Sequence, residues 1–285
     1  MIGLRAQLFF RGPDLPTRIA ASARNRSGQG TAALVRLLLR WLLALSLGLG
    51  SMAASAEPPD AQAILTAADQ SRGTGLPGVV MLVRVSSEEA PGQPDPDADV
   101  TLKVKSHDGS TLAEVIEPLR SKGMRLLLVR HKMWLHKPGM KKPVAVSARQ
   151  RLAGEAALGD IASTEYARDY DATYLRNEDL AGEPCHVLEL RAAQPNTTYA
   201  RINYWVSERS GLGLRADFLS LSGKLLKRAD FQYQTTLEYQ DRSTTRFISR
   251  MKISDALTSR QTTLEYSEVR VQAIALSDFD VGALQ

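Results

Sequence analysis

Most of the chain after residue 78 alternates between apolar and polar residues, and this pattern limits the possible folds more than any other feature. The segments 214–218, 246–253 and 263–266 each place apolar side chains on one side and polar or charged side chains on the other. A repeat of two residues is the repeat of a β-strand. We therefore predict an antiparallel sheet with one apolar face and one solvated face.

Turn signals divide this pattern into segments of strand length. Asp108-Gly109 is typical of a tight hairpin turn. Residues 88–99 are polar and rich in proline, and we predict a mobile loop or hairpin tip there. The predicted strands are 79–85, 100–105, 111–117, 125–130, 132–136, 172–177, 185–191, 199–206, 213–220, 224–234, 236–240, 244–253 and 260–271. Their spacing indicates an antiparallel meander.

Two regions depart from the β pattern and are predicted to be helical. Asp60 can cap a helix that begins at Ala61, where apolar side chains recur at helical spacing. Residues 144–170 are predicted to form one or two short helices joined near Gly159-Asp160. A few helical segments must then cover the apolar side of about a dozen strands. We therefore predict a hydrophobic cavity with an apolar ligand, covered by a lid of residues 61–70 and 147–168.

The apolar side of the predicted sheet supplies the candidate wall of this cavity, in which methionine is suited to adaptable contacts. The candidate lipid-cavity residues are Met81, Val83, Met133, Leu135, Leu214, Phe218, Phe247, Met251 and Leu264. The alternative is that these side chains fill an ordinary hydrophobic core.

The N-terminal segment has the features of a secretory signal peptide. An apolar run at 41–50 follows Arg36 and Arg40 and precedes the small residues 54–56. The run is shorter than the roughly 20 apolar residues of a transmembrane helix, although an uncleaved anchor is the alternative. We predict that residues 1–56 are removed on export, with translation beginning near Val35, and that residues 57–285 form one lipid-binding domain in the periplasm.

The positive charge of the chain lies in the segment predicted to be removed. The whole chain has a net charge of +5, while residues 1–56 contain seven arginines and one aspartate, so residues 57–285 are near −1. The predicted mature chain therefore lacks the basic surplus that nucleic-acid binding requires, and we predict no nucleic-acid partner. Trp134 and Trp205 are accordingly predicted in the sheet core or the cavity wall rather than stacked on bases.

Sequence motifs for catalysis are missing. The single cysteine, Cys185, lies in a strand-like run and is predicted to be buried and structural. The four histidines do not form a metal-binding motif, and no nucleophile elbow, dinucleotide-binding or phosphate-binding loop is present. We therefore expect a binding protein without cofactor or metal, not an enzyme. The enzyme alternative would depend on Cys185 or His136.

Several segments together resemble the LolA-like family of outer-membrane lipoprotein-sorting proteins. These segments are Lys132–Gly139 with the phrase MWLH, the helical block from Arg151 to Tyr170, Tyr204–Val206, Gly211–Phe218 and the closing Leu276–Leu284. The likeness covers nearly all of residues 57–285. One departure is Gly213, where the family usually has proline.

The resemblance implies a mainly β fold with a helical lid: an unclosed antiparallel β-barrel with a hydrophobic cavity, LolA/LolB-like. It implies a periplasmic carrier or chaperone that moves lipoprotein acyl chains or another lipid between the inner and outer membrane, with transient membrane contact. It also implies an inner-membrane transporter of the resistance-nodulation-division type as partner. The alternative is a regulatory protein on the same fold that senses a lipid or lipoprotein. The sequence does not identify the cargo or the direction of transfer.

Overall fold

The computed structural model describes residues 58–95, 98–129, 131–162, 165–238 and 244–284. Residues 57–285 form one compact unit. The α-helices are α1 (Ala61–Asp69), α2 (Leu158–Ala162) and α3 (Tyr166–Asp169), and the short 3-10 turns are Gln70–Arg72, Leu119–Ser121, Leu276–Asp278 and Gly282–Leu284. The predicted signal peptide lies outside the described residues.

The strands follow the period of two that the sequence predicts. They are β1 (Val79–Ala90), β2 (Gln93–Pro94), β3 (Val100–His107), β4 (Ser110–Glu117), β5 (Arg125–Val129), β6 (Lys132–His136), β7 (Val144–Val146), β8 (Arg151–Ala153), β9 (Ala156–Ala157), β10 (Tyr170–Leu180), β11 (Glu183–Ala192), β12 (Arg201–Ser207), β13 (Gly213–Leu219), β14 (Leu225–Gln232), β15 (Thr235–Glu238), β16 (Thr244–Phe247), β17 (Arg250–Asp255) and β18 (Gln261–Val271).

One large antiparallel sheet contains 14 of these strands. Its order is β10-β11-β12-β13-β14-β17-β18-β1-β3-β4-β5-β6-β7, with β2 paired to β1. The pairing of β1 with β18 brings the two ends of the domain together in the middle of the sheet. The outermost strands β10 and β7 are not paired with each other, so the sheet is not closed into a barrel. The predicted fold class, an unclosed antiparallel barrel with few helices, is confirmed.

The inner face of the sheet and the lid share one continuous group of buried apolar side chains, which we call the inner cluster. In β1, Met81, Val83 and Val85 point inward and alternate with more exposed residues, which is the pattern expected for one buried face. The lid, residues 61–70 and 147–168, contributes Leu65, Leu158 and several alanines to the same cluster.

The outer face is partly covered as well. Ile274, Phe279 and Leu284 of the C-terminal segment pack with Leu127 on this face, and Trp134 lies against them. Trp205 packs with Cys185 in a separate outer group. Both tryptophans therefore lie in outer-face packing rather than in the wall of an inner cavity.

Two predicted segments differ from the structure. The single strand predicted at 244–253 is divided into β16 and β17, which belong to separate sheets. Residues 88–99, predicted to be a mobile loop or hairpin tip, do include a hairpin, because β1 continues to Ala90 and β2 pairs back onto it. In the region 144–170, helix begins only at Leu158, and short strands β7, β8 and β9 precede it. Isolated two- and three-residue strands owe their form to pairing with neighbours, which an alanine-rich sequence does not reveal.

An irregularity at Gly213 changes the direction of the side chain that follows. Val206 pairs with Gly213 while Trp205 pairs with Arg215, so Leu214 is an extra residue in β13. Leu214 consequently packs with the outer Cys185 group, whereas Phe218 further along β13 is in the inner cluster. The sequence pattern had placed Leu214 and Phe218 on the same side.

Close packing explains why glycine occupies position 213. A Cβ atom there would overlap the ring and hydroxyl of Tyr204. The Tyr233 hydroxyl also donates a hydrogen bond to the Gly213 carbonyl at 2.6 Å. The family's usual proline would meet the same Tyr204 ring.

We predict that Gly213→Ala lowers the free energy of unfolding by about 1–3 kcal/mol, because an added methyl group overpacks the core. Adding Tyr204→Phe should recover part of this loss, since the hydroxyl is the nearest overlapping atom. Urea denaturation of both variants measures the effect. Gly282→Ala is the control, because a Cβ at Gly282 would make only an ordinary contact, 3.4 Å from the carboxylate of Asp280. A Gly213→Ala variant no less stable than this control would contradict the packing explanation.

Candidate functional site between the sheet and its lid

Hydrogen bonds fix the lid to the inner face at several points. The backbone N–H of Glu155 donates to the Thr262 hydroxyl at 2.7 Å. The Thr111 hydroxyl donates to the carbonyl of Ala162 at 2.9 Å. The Lys227 ammonium also donates to the Glu155 carbonyl. The lid is therefore attached to β18, β4 and β14 through polar groups as well as apolar contacts.

Two glycines allow the lid to approach this closely. A Cβ on Gly154 would overlap the hydroxyls of Ser87 and Thr262. A Cβ on Gly159 would overlap the side chain of Thr198. Both positions require glycine because the lid lies very close to the sheet at Gly154 and to the β11–β12 connection at Gly159.

A buried carboxylate, Asp160, organises the centre of the lid. It accepts hydrogen bonds from the Tyr199 hydroxyl at 2.9 and 3.0 Å and from the N–H of Ala157 at 2.8 Å. Burial raises the pKa of Asp160, while the Lys227 cation lowers it. Tyr199 also stacks on Phe218, with the ring centres 4.0 Å apart. One tyrosine thus connects the lid to a side chain of the inner cluster.

A second buried carboxylate, Asp69, connects the two halves of the lid. It ends α1 and accepts a hydrogen bond from the N–H of Ala167 in α3 at 2.7 Å. Burial raises the pKa of Asp69 to about 7, although the nearby Arg72 cation lowers it. Arg72 is itself buried, with its guanidinium carbon 4.1 Å from the centre of the Tyr166 ring.

Among the grooves beside the lid, two lie on opposite sides of it. The first, which we call the basic groove, has a volume of about 260 Å³ and lies between the lid and strands β5 and β6. Its apolar lining includes Leu126, Leu135, Leu152 and Leu158. The second groove, of about 630 Å³, lies on the other side of the lid beside Tyr199 and Leu219. Both grooves reach residues of the inner cluster, since Leu126, Leu158 and Tyr199 belong to it.

The predicted cavity residues are mostly brought together by the fold. Seven of them lie in the inner cluster: Met81, Val83, Met133, Phe218, Phe247, Met251 and Leu264. Leu135 packs against the cluster and lines the basic groove. Leu214 lies on the outer face. In this closed arrangement the seven side chains pack against one another and against the lid, so their role as a lipid-cavity wall stays a prediction.

The sequence pattern alone does not reveal the buried polar residues of this region. Asp69, Arg72 and Asp160 were not singled out, because each was assigned to a helix end or a helix junction. Asp160 nevertheless carries a signal, since it is the one charged residue in the apolar stretch from Ala156 to Ala162. A charged side chain is rarely buried unless it is paired.

The other candidate groups are not arranged for chemistry. Cys185 is fully buried, and burial raises the pKa of its thiol to about 11, which keeps it protonated at neutral pH. His136 faces the carbonyl of Met140 at 3.1 Å. The described residues contain no group of three metal-ligating side chains. In the same residues, no helix has the length and apolar character to span a membrane.

The fold is that of the LolA-like proteins. The chain is similar to a LolA superfamily protein from Nitrosomonas europaea, with 28% identity over 78% of this chain and 98% of that one and a TM-score of 0.69. It also shares its fold with an outer membrane lipoprotein-sorting protein domain from Vibrio parahaemolyticus. The identity is 21% over 79% of this chain and 97% of that one, and the TM-score is 0.65.

A third solved structure with this fold is a DUF1329 family protein from Desulfovibrio piger. The identity is 18% over 79% of this chain and 97% of that one, and the TM-score is 0.64. A family model described as "Uncharacterized protein" matches residues 107–285, which is more than half of the chain, and the chain belongs to that family. None of the curated proteins matches the chain.

We predict that the Asp69 carboxyl makes the domain less stable as the pH rises. Its pKa is raised by burial, so its contribution is complete at low pH and is lost as the pH passes through about 7. From pH 5 to pH 8, wild type should lose on the order of 1–3 kcal/mol relative to Asp69→Asn.

Urea denaturation of both proteins at the two pH values measures this difference. Asp60→Asn is the matched control, because Asp60 is exposed at the other end of α1. It should show the same pH dependence as wild type. If wild type and Asp69→Asn change in parallel, the assigned titration of Asp69 is wrong.

Proposed function

We propose that this protein binds the acyl chain of a lipid or lipoprotein between the inner face of its sheet and its lid. The proposal depends mainly on one observation: a continuous apolar cluster extends across the unclosed sheet and is covered by a small lid. Burial of one CH₂ group contributes about 0.8 kcal/mol, so a 14-carbon chain offers roughly 10 kcal/mol before ordering costs. This gain offsets the cost of moving the lid from the inner face.

The amino-acid composition of the lid lowers the free-energy cost of displacing it. Its contribution to the inner cluster consists largely of alanine, namely Ala61, Ala68, Ala148, Ala153, Ala156 and Ala162. Its larger apolar contributors are Leu65, Leu158, Ile161 and Tyr166. Because alanine buries little apolar surface, moving the lid costs less than moving a leucine-rich cover of the same length. An alkyl chain that enters the space restores the lost contacts.

The polar attachments of the lid would make opening a discrete step. Each hydrogen bond between lid and sheet contributes about 1 kcal/mol, and the groups released can bind water when the lid moves. The closed lid would then protect the inner face when no cargo is bound. Contact with a membrane or an acceptor protein would favour release.

We further propose that the protein acts in the periplasm as a carrier or chaperone between the inner and outer membrane. This rests on the predicted export segment 1–56 and on the LolA-like fold. The transporter of the resistance-nodulation-division type stays a prediction from the family resemblance. We propose a binding role rather than an enzymatic one.

Binding is tested with a fluorescent acyl chain such as 11-dansyl-undecanoic acid. We expect saturable binding of one probe per domain and displacement by unlabelled alkyl amphiphiles, because both would compete for the inner face. Mass spectrometry of the natively purified protein would identify co-purified lipid. A protein that binds no alkyl chain under native conditions would refute the proposed function.

We predict that Tyr199→Phe speeds the association of this probe about fivefold. Loss of one buried hydrogen bond worth about 1 kcal/mol should raise the open population of the lid by that factor. Stopped-flow fluorescence measures the rate. Tyr174→Phe is the control, since it removes a tyrosine hydrogen bond, to Asn177 at 2.9 Å within β10, that does not involve the lid. Equal association rates in the two variants would exclude lid opening as the step that limits binding.

A further inference from the structure

The domain has an uneven charge distribution that its near-zero net charge conceals. Residues 118–154 contain no aspartate or glutamate. The ten basic residues in this run are Arg120, Lys122, Arg125, Arg130, Lys132, Lys137, Lys141, Lys142, Arg149 and Arg151. Since residues 57–285 together are near −1, the rest of the domain is strongly acidic.

The fold concentrates this charge at one edge of the sheet. The run includes the edge strands β5, β6 and β7 and the lid strand β8, and two of its loops, 118–124 and 137–143, lie side by side. A Cβ added to Gly123 in the first loop would lie 3.2 Å from the Pro138 ring in the second. The positive charges of both loops therefore share one region of the surface.

Carboxylates neutralise part of this region. Arg125 pairs with Glu114 at 3.8 Å, and Arg151 pairs with Glu155 at 3.2 Å. In the part of the chain that the structure describes, no ion pair involves the exposed lysines Lys122, Lys132, Lys137, Lys141 and Lys142. The region keeps a surplus of positive charge that can attract an anion.

The basic groove opens within this charged region. Its apolar lining comes from Leu126 and Leu135 of the sheet and from Leu152 and Leu158 of the lid. Arg120, Lys137 and Arg151 also line it. An apolar floor that continues into the inner cluster, next to cationic side chains, matches a molecule with an alkyl tail and an anionic headgroup.

We propose that the basic groove is the binding site for the anionic headgroup of the cargo lipid, with the alkyl chain extending under the lid. This inference rests on the proposed function and narrows its substrate class to lipids with a phosphate or another anionic headgroup. The groove favours a single lipid over a bilayer surface, because it is concave and leads to buried leucines. Docking on a bilayer would instead use exposed side chains such as Leu119, which is 86% exposed.

The test compares two amphiphiles with the same tail below their critical micelle concentrations. Dodecyl phosphate has an anionic headgroup, and dodecyl maltoside has a neutral one. We expect isothermal titration calorimetry to give about tenfold tighter binding of dodecyl phosphate, and this preference should shrink at high salt. The triple variant Arg120→Gln, Lys137→Gln, Arg151→Gln, which removes the three cations that line the groove, should lose it and still bind dodecyl maltoside.

The matched control is Lys103→Gln, Lys224→Gln, Lys252→Gln, which removes the same charge from exposed lysines elsewhere. It should keep the preference. Equal binding of the two amphiphiles by wild type would overturn the headgroup site and leave the proposed function intact. Failure of both amphiphiles to bind would refute the proposed function itself.

Three other results would also overturn the assignment. A preference that survives the groove triple variant, or that disappears equally in the control, would mean that the groove does not recognise the headgroup. Lysine-dependent sedimentation with phosphatidylglycerol vesicles, without a headgroup preference in solution, would identify the region as a bilayer-docking surface instead.

Discussion

The structure depends on how the apolar inner face of an unclosed sheet is kept from water. A closed barrel could fill its interior from its own strands, whereas the strands at the two edges of this sheet, β10 and β7, are unpaired with each other. The inner side chains therefore need a cover, and the chain supplies one short helix and a segment of mixed structure. Everything that we propose about function follows from the size and attachment of that cover.

The attachment combines small apolar side chains with buried polar groups. Alanines allow close packing with little apolar surface, while Asp160 bonds the lid to Tyr199 and Asp69 joins the two halves of the lid. Buried carboxylates are costly unless they are paired, so they favour one well-defined closed position. The same groups become solvated when the lid moves. The closed state is thus specific without requiring a large apolar interface.

The sequence allowed much of the fold to be predicted, because the period of two is a direct consequence of a sheet with one buried face. Met81 and Val83 alternate with more exposed residues along β1, and Met251 and Leu264 do so along β17 and β18. All four side chains are buried, as the pattern predicted. Leu214 was not placed correctly, since one extra residue in β13 breaks the alternation and only the pairing with β12 shows it. Short strands such as β8 are defined by their partners and were predicted to be helical.

The candidate site was harder to predict than the sheet. Its apolar residues follow from periodicity, but Asp69, Arg72 and Asp160 become notable only when the fold buries them. The positive edge of the sheet illustrates the same difficulty. Net charge alone suggested an electrically neutral domain, whereas the fold brings three of the ten basic residues of 118–154, Arg120, Lys137 and Arg151, to one groove. This part of the site depends on how the fold brings basic residues together, which amino-acid composition does not show.

The central claim is that an alkyl chain occupies the space between the lid and the inner face. The most direct measurement is the distance between spin labels on the lid and on the sheet, at Arg149→Cys and Lys252→Cys in a Cys185→Ala background. Electron paramagnetic resonance should show a longer distance when dodecyl maltoside saturates the protein. An unchanged distance at saturation would contradict the account, because the ligand would then be bound without moving the lid.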